Sequence, residues 1–217
     1  MLIGMDAIID YIQKKNIDSM DRDIYEFGVC TGGGTGQILR GFTKNLIQYD
    51  RYFGFDSFEG LPEETKGLFR PDIWHKGAFN AQSLLGKKED EVVPYLINLV
   101  KDLTDRPIEF VKGFYENTLT PELAKEKQFK PALFVSIDVD IYKSAFQVLE
   151  YMVNQKLLVK GTVIRYDDWG DFTHPQWEGA KEYTIGESLA HMQICKEYDI
   201  EFEQVFFESG VKVVVVK

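Results

Sequence analysis

Two pairs of aspartates carry the most chemical information in this sequence. Asp138 and Asp140 lie in VSIDVDIY, Asp167 and Asp168 in TVIRYDDWG, and each pair closes a short apolar run that reads as a buried strand. The stretch from 142 to 156 between them is helical in pattern and long enough for a right-handed crossover. Strands 133 to 138 and 162 to 166 should therefore be parallel neighbours, with their carboxyl ends at one rim of a sheet. Three or four carboxylates would then share a few ångströms of a partly dry crevice. Such groups repel one another unless a cation neutralises them, and hard oxygen ligands suit Mg²⁺, Ca²⁺ or Mn²⁺. That convergence favours a metal site over a solvated surface cluster.

A second group is the turn EFGVCTGGGTG, which sets Gly28, Gly32, Gly33, Gly34 and Gly36 between a strand and the start of a helix. Glycines there permit positive φ and let the backbone come close to a flat or anionic ligand. Asp56, at the end of the next strand, falls where an acid of this architecture accepts hydrogen bonds from ribose hydroxyls. The two together imply a nucleoside-bearing cofactor, the alternative being a plain tight turn with a solvated aspartate. Three enzyme classes compete for the loop. A short-chain dehydrogenase needs a Tyr-x-x-x-Lys pair on a central helix, and Tyr11 to Lys15 lies upstream of the first strand. A nucleotide-sugar glycosyltransferase would use Asp138-Val139-Asp140 but leaves Asp167-Asp168 and the glycine turn unexplained. A haloacid-type phosphatase would carry its Asp-x-Asp on the first strand, where Glu26 stands.

The elements that must position these residues follow from periodicity. Met5, Ile8, Ile9 and Ile12 predict a first helix, and DIYEFGV at 23 to 29 a strand. A second helix follows with Ile38, Leu39, Phe42, Leu46 and Ile47 on one face, then the strand RYFGFD. Residues 57 to 88 are rich in breakers and read as a long loop with short helical turns, the expected lid. Beyond it come a helix over 89 to 104, a strand over 107 to 112, a short helix near 121 to 127, the two acid-tipped strands, and a helix near 177 to 197. The last two runs, FEQVFFE and VKVVVVK, are joined by Ser209-Gly210, so they must pair antiparallel. The expected fold is α/β: a doubly wound, mostly parallel seven-stranded sheet with a C-terminal antiparallel hairpin.

The chain has 217 residues, 44% of them hydrophobic, which suits a single domain over 1–217. Asp6 and Asp10 interrupt the N-terminus where a signal peptide needs an apolar core, and no run is long enough to span a bilayer, so a cytoplasmic protein without membrane association is expected. A formal charge of −10 argues against a nucleic-acid partner. Cys30 and Cys195 are expected as free thiols. The N-terminal helix and the lid are candidate interfaces for a homo-oligomer.

EFGVCTGGGTG, YFGFDSFEGLPE, VKGFYENTL, IDVDIYKSAFQVLE and GTVIRYDDWG occur in that order from about residue 24 to 170, and together they resemble the macrocin O-methyltransferase (TylF-like) family. These are class I S-adenosylmethionine enzymes that methylate sugar hydroxyls. The resemblance implies that Glu26, Gly28, Gly32, Asp56 and Ser57 hold the cofactor and that Gly113 and Phe114 line its adenine. It further implies that Asp138, Asp167 and Asp168 bind Mg²⁺ and that Asp140 is the general base. The chain departs from the family at Lys160-Gly161, where Gly-Gly is usual, and at Arg165-Tyr166, where small apolar residues are common.

A methyl transfer to an alcohol needs the hydroxyl deprotonated as it attacks, and a metal beside a carboxylate base meets that need. His75 and His174 are rival bases, though loop histidines commonly have no role. Trp74, Phe69 and Phe79 would let the 57–88 loop exclude water or simply cover the sheet edge. Trp169 and Trp177 are candidates for stacking on a sugar or for core packing, and Tyr115 and Tyr142 are expected to be buried with satisfied hydroxyls. Two further readings remain, a divalent-metal glycosyltransferase and a cofactor-binding module without turnover. The acceptor is expected to be a small-molecule sugar or polyol.

Overall fold

The computed structural model describes residues 2–64, 66 and 70–217, with Gln176 described by its backbone alone. Seven strands form one sheet: β1 (Asp23–Phe27), β2 (Tyr52–Asp56), β3 (Ile108–Lys112), β4 (Ala132–Ile137), β5 (Val163–Tyr166), β6 (Phe202–Glu208) and β7 (Val211–Val216). Their order across the sheet is β3-β2-β1-β4-β5-β7-β6. The first five strands run parallel, and β7 pairs antiparallel with both β5 and β6. From β1 the chain winds first towards β3 and then, through β4, towards β5. The carboxyl ends of β1 and β4 therefore flank the point where the winding reverses, the crevice in which such sheets bind ligands.

The helices are α1 (Met5–Lys14), α2 (Gly33–Lys44), α3 (Ala81–Leu85), α4 (Glu89–Val100), α5 (Tyr115–Thr118), α6 (Pro121–Lys127), α7 (Tyr142–Asn154) and α8 (Gly186–Tyr198). Strand alternation divides the core between two layers. Ile24 and Tyr52 face the layer filled by Ile8 and Ile12 of α1, Ile38 and Phe42 of α2 and Leu96 of α4. Tyr25, Phe27, Phe55 and Ile137 face the layer filled by Val148 and Met152 of α7 and Ile194 of α8. Each fully buried side chain of this kind contributes about 1.5–3 kcal/mol. Glu26 and Arg165 share the α1/α2 side with Ile24 and Val163, so each sets a charged group into an apolar layer.

The expected elements form, with several local differences. α2 stops at Lys44, because Leu46 adopts φ 57° and the N–H groups of Leu46 and Ile47 bond back to Thr43 and Phe42. That Schellman closure leaves Leu46 81% exposed rather than on the buried face. α4 likewise ends at Val100, not 104. α5 was not signalled by any period, being only one turn long. The helix expected from 177 begins at Gly186; before it lie a 3₁₀ turn at Pro175–Trp177 and positive φ at Gly179 and Tyr183. Glu182 is fixed there by the Trp169 indole N–H (2.8 Å) and by Lys212 (2.9 Å), which holds the segment against the sheet instead of letting it coil.

Candidate active site

The glycine turn is shaped by a close approach of two strand ends. Gly28 has φ 90°, and a Cβ there would lie 1.7 Å from the carbonyl oxygen of Asp138, so no other residue fits. β1 ends at Phe27, just before this residue, rather than at Val29. Beyond it a cavity of about 320 Å³ opens at the carboxyl ends of the parallel strands, within the size range of small-molecule sites. Its wall includes Gly28, Gly33 and Gly34 from the turn, Asp56 and Ser57 at the end of β2, and Gly113 and Phe114 after β3. Asp138 and Asp140 close it from the β4 side.

Asp56 is anchored for an acceptor role. Its Oδ2 accepts the Cys30 N–H (2.8 Å) and its Oδ1 the Phe58 N–H (2.6 Å), the Val29 N–H also bonds it, and acceptor capacity remains for a ligand hydroxyl. Burial raises its pKa, and those N–H groups oppose the rise. The Ser57 hydroxyl donates to the Gly60 carbonyl at 3.0 Å. Glu26 and Gly32 do not line the cavity. Glu26 is buried beneath the turn, where its carboxylate accepts from the Thr35 and Tyr52 hydroxyls. Burial pushes it up to about 7, against those two hydrogen bonds. A Cβ at Gly34 would lie 2.7 Å from its Oε1, so the acid sets the height of the loop above it. Gly32 turns towards Leu96 of α4, which a Cβ would meet at 2.8 Å.

The acids meet as the crossover requires. One oxygen from each of Asp138, Asp167 and Asp168 lies within 4.8 Å of the others. β4 ends at Ile137, and Asp140 takes φ 64°, which reverses the chain and brings Asp138 and Asp140 to the same cavity. Burial, then the charges of Asp167 and Asp168, drive the pKa of Asp138 well up; burial, then Asp140 and Asp167, do the same to Asp168. Asp140 is raised to about 8 by burial and by Asp138, while a hydrogen bond from the Trp74 indole opposes the rise. Mutual repulsion among half-buried carboxylates is what a bound cation relieves, so the donor set fits a hard divalent ion. Arg165 already neutralises part of the charge by pairing with Oδ1 of Asp167, and its Nε donates to the Ile3 carbonyl at 2.9 Å. A carboxylate paired through one oxygen retains the other for a metal.

Some expected participants lie elsewhere. His75 and His174 are exposed and do not line the cavity. Trp169 is 1% exposed, bonded to Glu182 and covered by the Lys212 ammonium 4.0 Å from its ring, so it packs in the core and does not stack on a ligand. Trp177 is buried against Phe172 and Trp74, with ring centroids 5.4 and 5.5 Å away. Trp74 thereby joins the 57–88 loop to the segment after β5. Phe79 lines the cavity, whereas Phe69 lies outside the described residues. Tyr142 donates to Gln193 at 2.6 Å; Tyr115 reaches the Phe55 carbonyl at 3.4 Å and lines the cavity. Sequence reasoning missed Glu187, which accepts the N–H groups of both Val139 and Asp168 (3.1 Å each). It also missed the wall formed by Lys143, Ser144 and Gln147 of α7, which was legible as the polar positions of IYKSAFQ.

This arrangement of glycine turn, ribose-type acid and acid triad can be compared with known proteins. The sequence profile of the macrocin O-methyltransferase (TylF) family matches residues 3–187. The chain belongs to that family. It is accordingly an S-adenosylmethionine-dependent O-methyltransferase, and the glycosyltransferase and dehydrogenase readings of its loops fall away. A search of curated protein sequences finds no match. Among solved structures, the O-methyltransferase NovP is 19% identical with a TM-score of 0.61, covering 98% of this chain and 77% of its own. CalS11, a calicheamicin methyltransferase, is 20% identical with a TM-score of 0.63, covering 99% and 77%. The S-adenosylhomocysteine-bound methyltransferase PaMTH1 of Podospora anserina is 12% identical with a TM-score of 0.52, covering 99% and 78%. These likenesses fix the fold as that of class I methyltransferases. Among the described residues, no helix of this methyltransferase is long and apolar enough to cross a membrane.

Proposed function

We propose that this methyltransferase acts on a hydroxyl of a sugar or sugar-bearing small molecule with the help of a divalent metal ion, Mg²⁺ by preference. The observation that carries the metal is the convergence of Asp138, Asp167 and Asp168 beside the cavity. The sugar acceptor follows from membership of the macrocin O-methyltransferase family. When bound, S-adenosylmethionine supplies an electrophilic methyl group on a sulfonium. Asp138, Asp167 and Asp168 would hold the divalent ion, which would supply positive charge favouring ionisation of the acceptor hydroxyl.

The chain's own residues do the rest. The backbone at Gly28, Gly33 and Gly34 offers the cofactor a surface free of side chains, and the spare lone pairs of Asp56 accept from ribose hydroxyls. Ser57, Gly113 and Phe114 take the base end, while Glu26 and Gly32 act from behind the loop by fixing its height and its packing on α4. Asp140 accepts the proton of the attacking hydroxyl at a carboxylate oxygen, as general base. Its left-handed backbone and the Trp74 hydrogen bond aim that carboxylate. The 57–88 loop, tied through Trp74 to Trp177, shields the reaction from water. Calorimetric titration with S-adenosylhomocysteine, followed by methyl-transfer assays on a panel of glycosylated acceptors with MgCl₂ or EDTA, tests this reading. Binding with Mg²⁺-dependent turnover is expected; full turnover in EDTA would remove the metal from it.

A further inference from the structure

The two strand ends that carry the metal-type acids are not bonded to each other beyond the sheet. β4 and β5 part after the pair Ile137 and Tyr166, and the last link between them is the Asp167 N–H to the Ile137 carbonyl at 2.9 Å. Past that point one side chain spans the gap. Glu187, in the first turn of α8, is 0% exposed; its Oε1 accepts the Val139 N–H and its Oε2 the Asp168 N–H, each at 3.1 Å. Val139 sits between Asp138 and Asp140, and Asp168 is itself one of the triad. Both carboxylate oxygens of Glu187 are turned to backbone donors, and it is not among the three acids whose oxygens converge. A fully buried carboxylate placed among other acids is costly, and nothing in apolar packing calls for one. Its geometry is that of a clamp.

We propose that Glu187 is a positioning residue that sets the spacing of the divalent-metal site, by holding the loops after β4 and β5 at a fixed separation through their main-chain N–H groups. This rests on the metal reading above. Without the clamp, Asp138 and Asp168 would be free to relieve their repulsion by moving apart, and a binding ion would have to draw them back. Glu187 reaches the cavity through the Val139 N–H on the β4 side; Gly33, Gly34, Asp56, Ser57, Gly113 and Phe114, which line the cofactor side, are not bonded to it, so that side keeps its shape.

The test compares wild type with Glu187→Gln, an isostere that can accept only one of the two N–H groups and turns an NH₂ towards the other, and with Glu187→Ala. Free Mn²⁺ is titrated by electron paramagnetic resonance, and S-adenosylhomocysteine affinity is measured by calorimetry on the same samples. Mn²⁺ affinity about 10- to 100-fold weaker in Glu187→Gln, the range for residues that orient metal ligands, with S-adenosylhomocysteine affinity within twofold of wild type, is the expected result. Unchanged Mn²⁺ affinity in Glu187→Gln would overturn the clamp while leaving the metal site standing. Loss of both ligands in both variants would reduce Glu187 to a general structural prop and overturn it too. Absence of Mn²⁺ binding in wild type would remove the metal reading and this inference together.

Discussion

Glu26 offers a quantitative check on the turn that frames the cofactor site. Its pKa is raised from 4.5 to about 7, chiefly by burial. Between those values the unfolded chain has lost this proton while the native state keeps it. The unfolded state thus binds fewer protons, and stability falls as pH rises through the window; above about 7 both states are ionised and the loss is constant. A separation of about two and a half pH units corresponds to about 3 kcal/mol. His191 works in the opposite sense. Burial, then Lys212, lowers its pKa from 6.5 to about 4, so the unfolded chain takes up a proton first as pH falls and stability drops by a similar amount from pH 6.5 to 4. In wild type the two contributions largely cancel between pH 4.5 and 6.5. Replacing Glu26 with Gln keeps an acceptor for Thr35 and Tyr52 and deletes the titration. Urea unfolding at half-unit steps from pH 4.5 to 8 should show the variant gaining about 3 kcal/mol relative to wild type by pH 7, all of it below that pH. Replacing His191 with Gln should gain relative to wild type on the acid side instead. A difference between wild type and Glu26→Gln that is the same at every pH would refute the account of the buried acid.

Two substitutions probe the site directly. Asp140→Asn should lower kcat by about 10²- to 10⁴-fold, the usual worth of a general base, with S-adenosylhomocysteine affinity within twofold of wild type; an active variant would move the base elsewhere. Asp56→Ala should weaken S-adenosylhomocysteine by about 10- to 100-fold in calorimetry, the loss of one or two hydrogen bonds to a charged acceptor, and an unchanged affinity would release Asp56 from the ribose role.

What the sequence could show was set by how local the cause was. Strand and helix periods, the crossover between β4 and β5 and the hairpin at Ser209-Gly210 are written in neighbouring residues, so the sheet and the meeting of Asp138 with Asp167 and Asp168 were legible. Helix ends were less so: the Schellman closure at Asn45 and Leu46 depends on backbone bonds that no period reports. The start of α8 depends on Glu182 finding Trp169 and Lys212, which are distant in sequence. The same holds for Glu187, an ordinary acid in a helical stretch until the fold lays it across two loops. Trp169 shows the converse, since proximity to the acids suggested a ligand contact and burial under Lys212 gave it a packing role. Glu26 and Gly32 carry the family motif yet stand behind the cavity wall, because a motif records which residues a loop needs and not which of them touch the ligand.

The acids at the ends of β4 and β5 should grip one divalent ion beside the methyl donor. Crystals grown with S-adenosylhomocysteine and Mn²⁺, measured for anomalous scattering at the manganese edge, test it most directly. A single strong peak is expected within coordination distance of Asp138, Asp167 and Asp168, next to the ligand-filled cavity; a cofactor-bound structure with no peak there would refute the metal site.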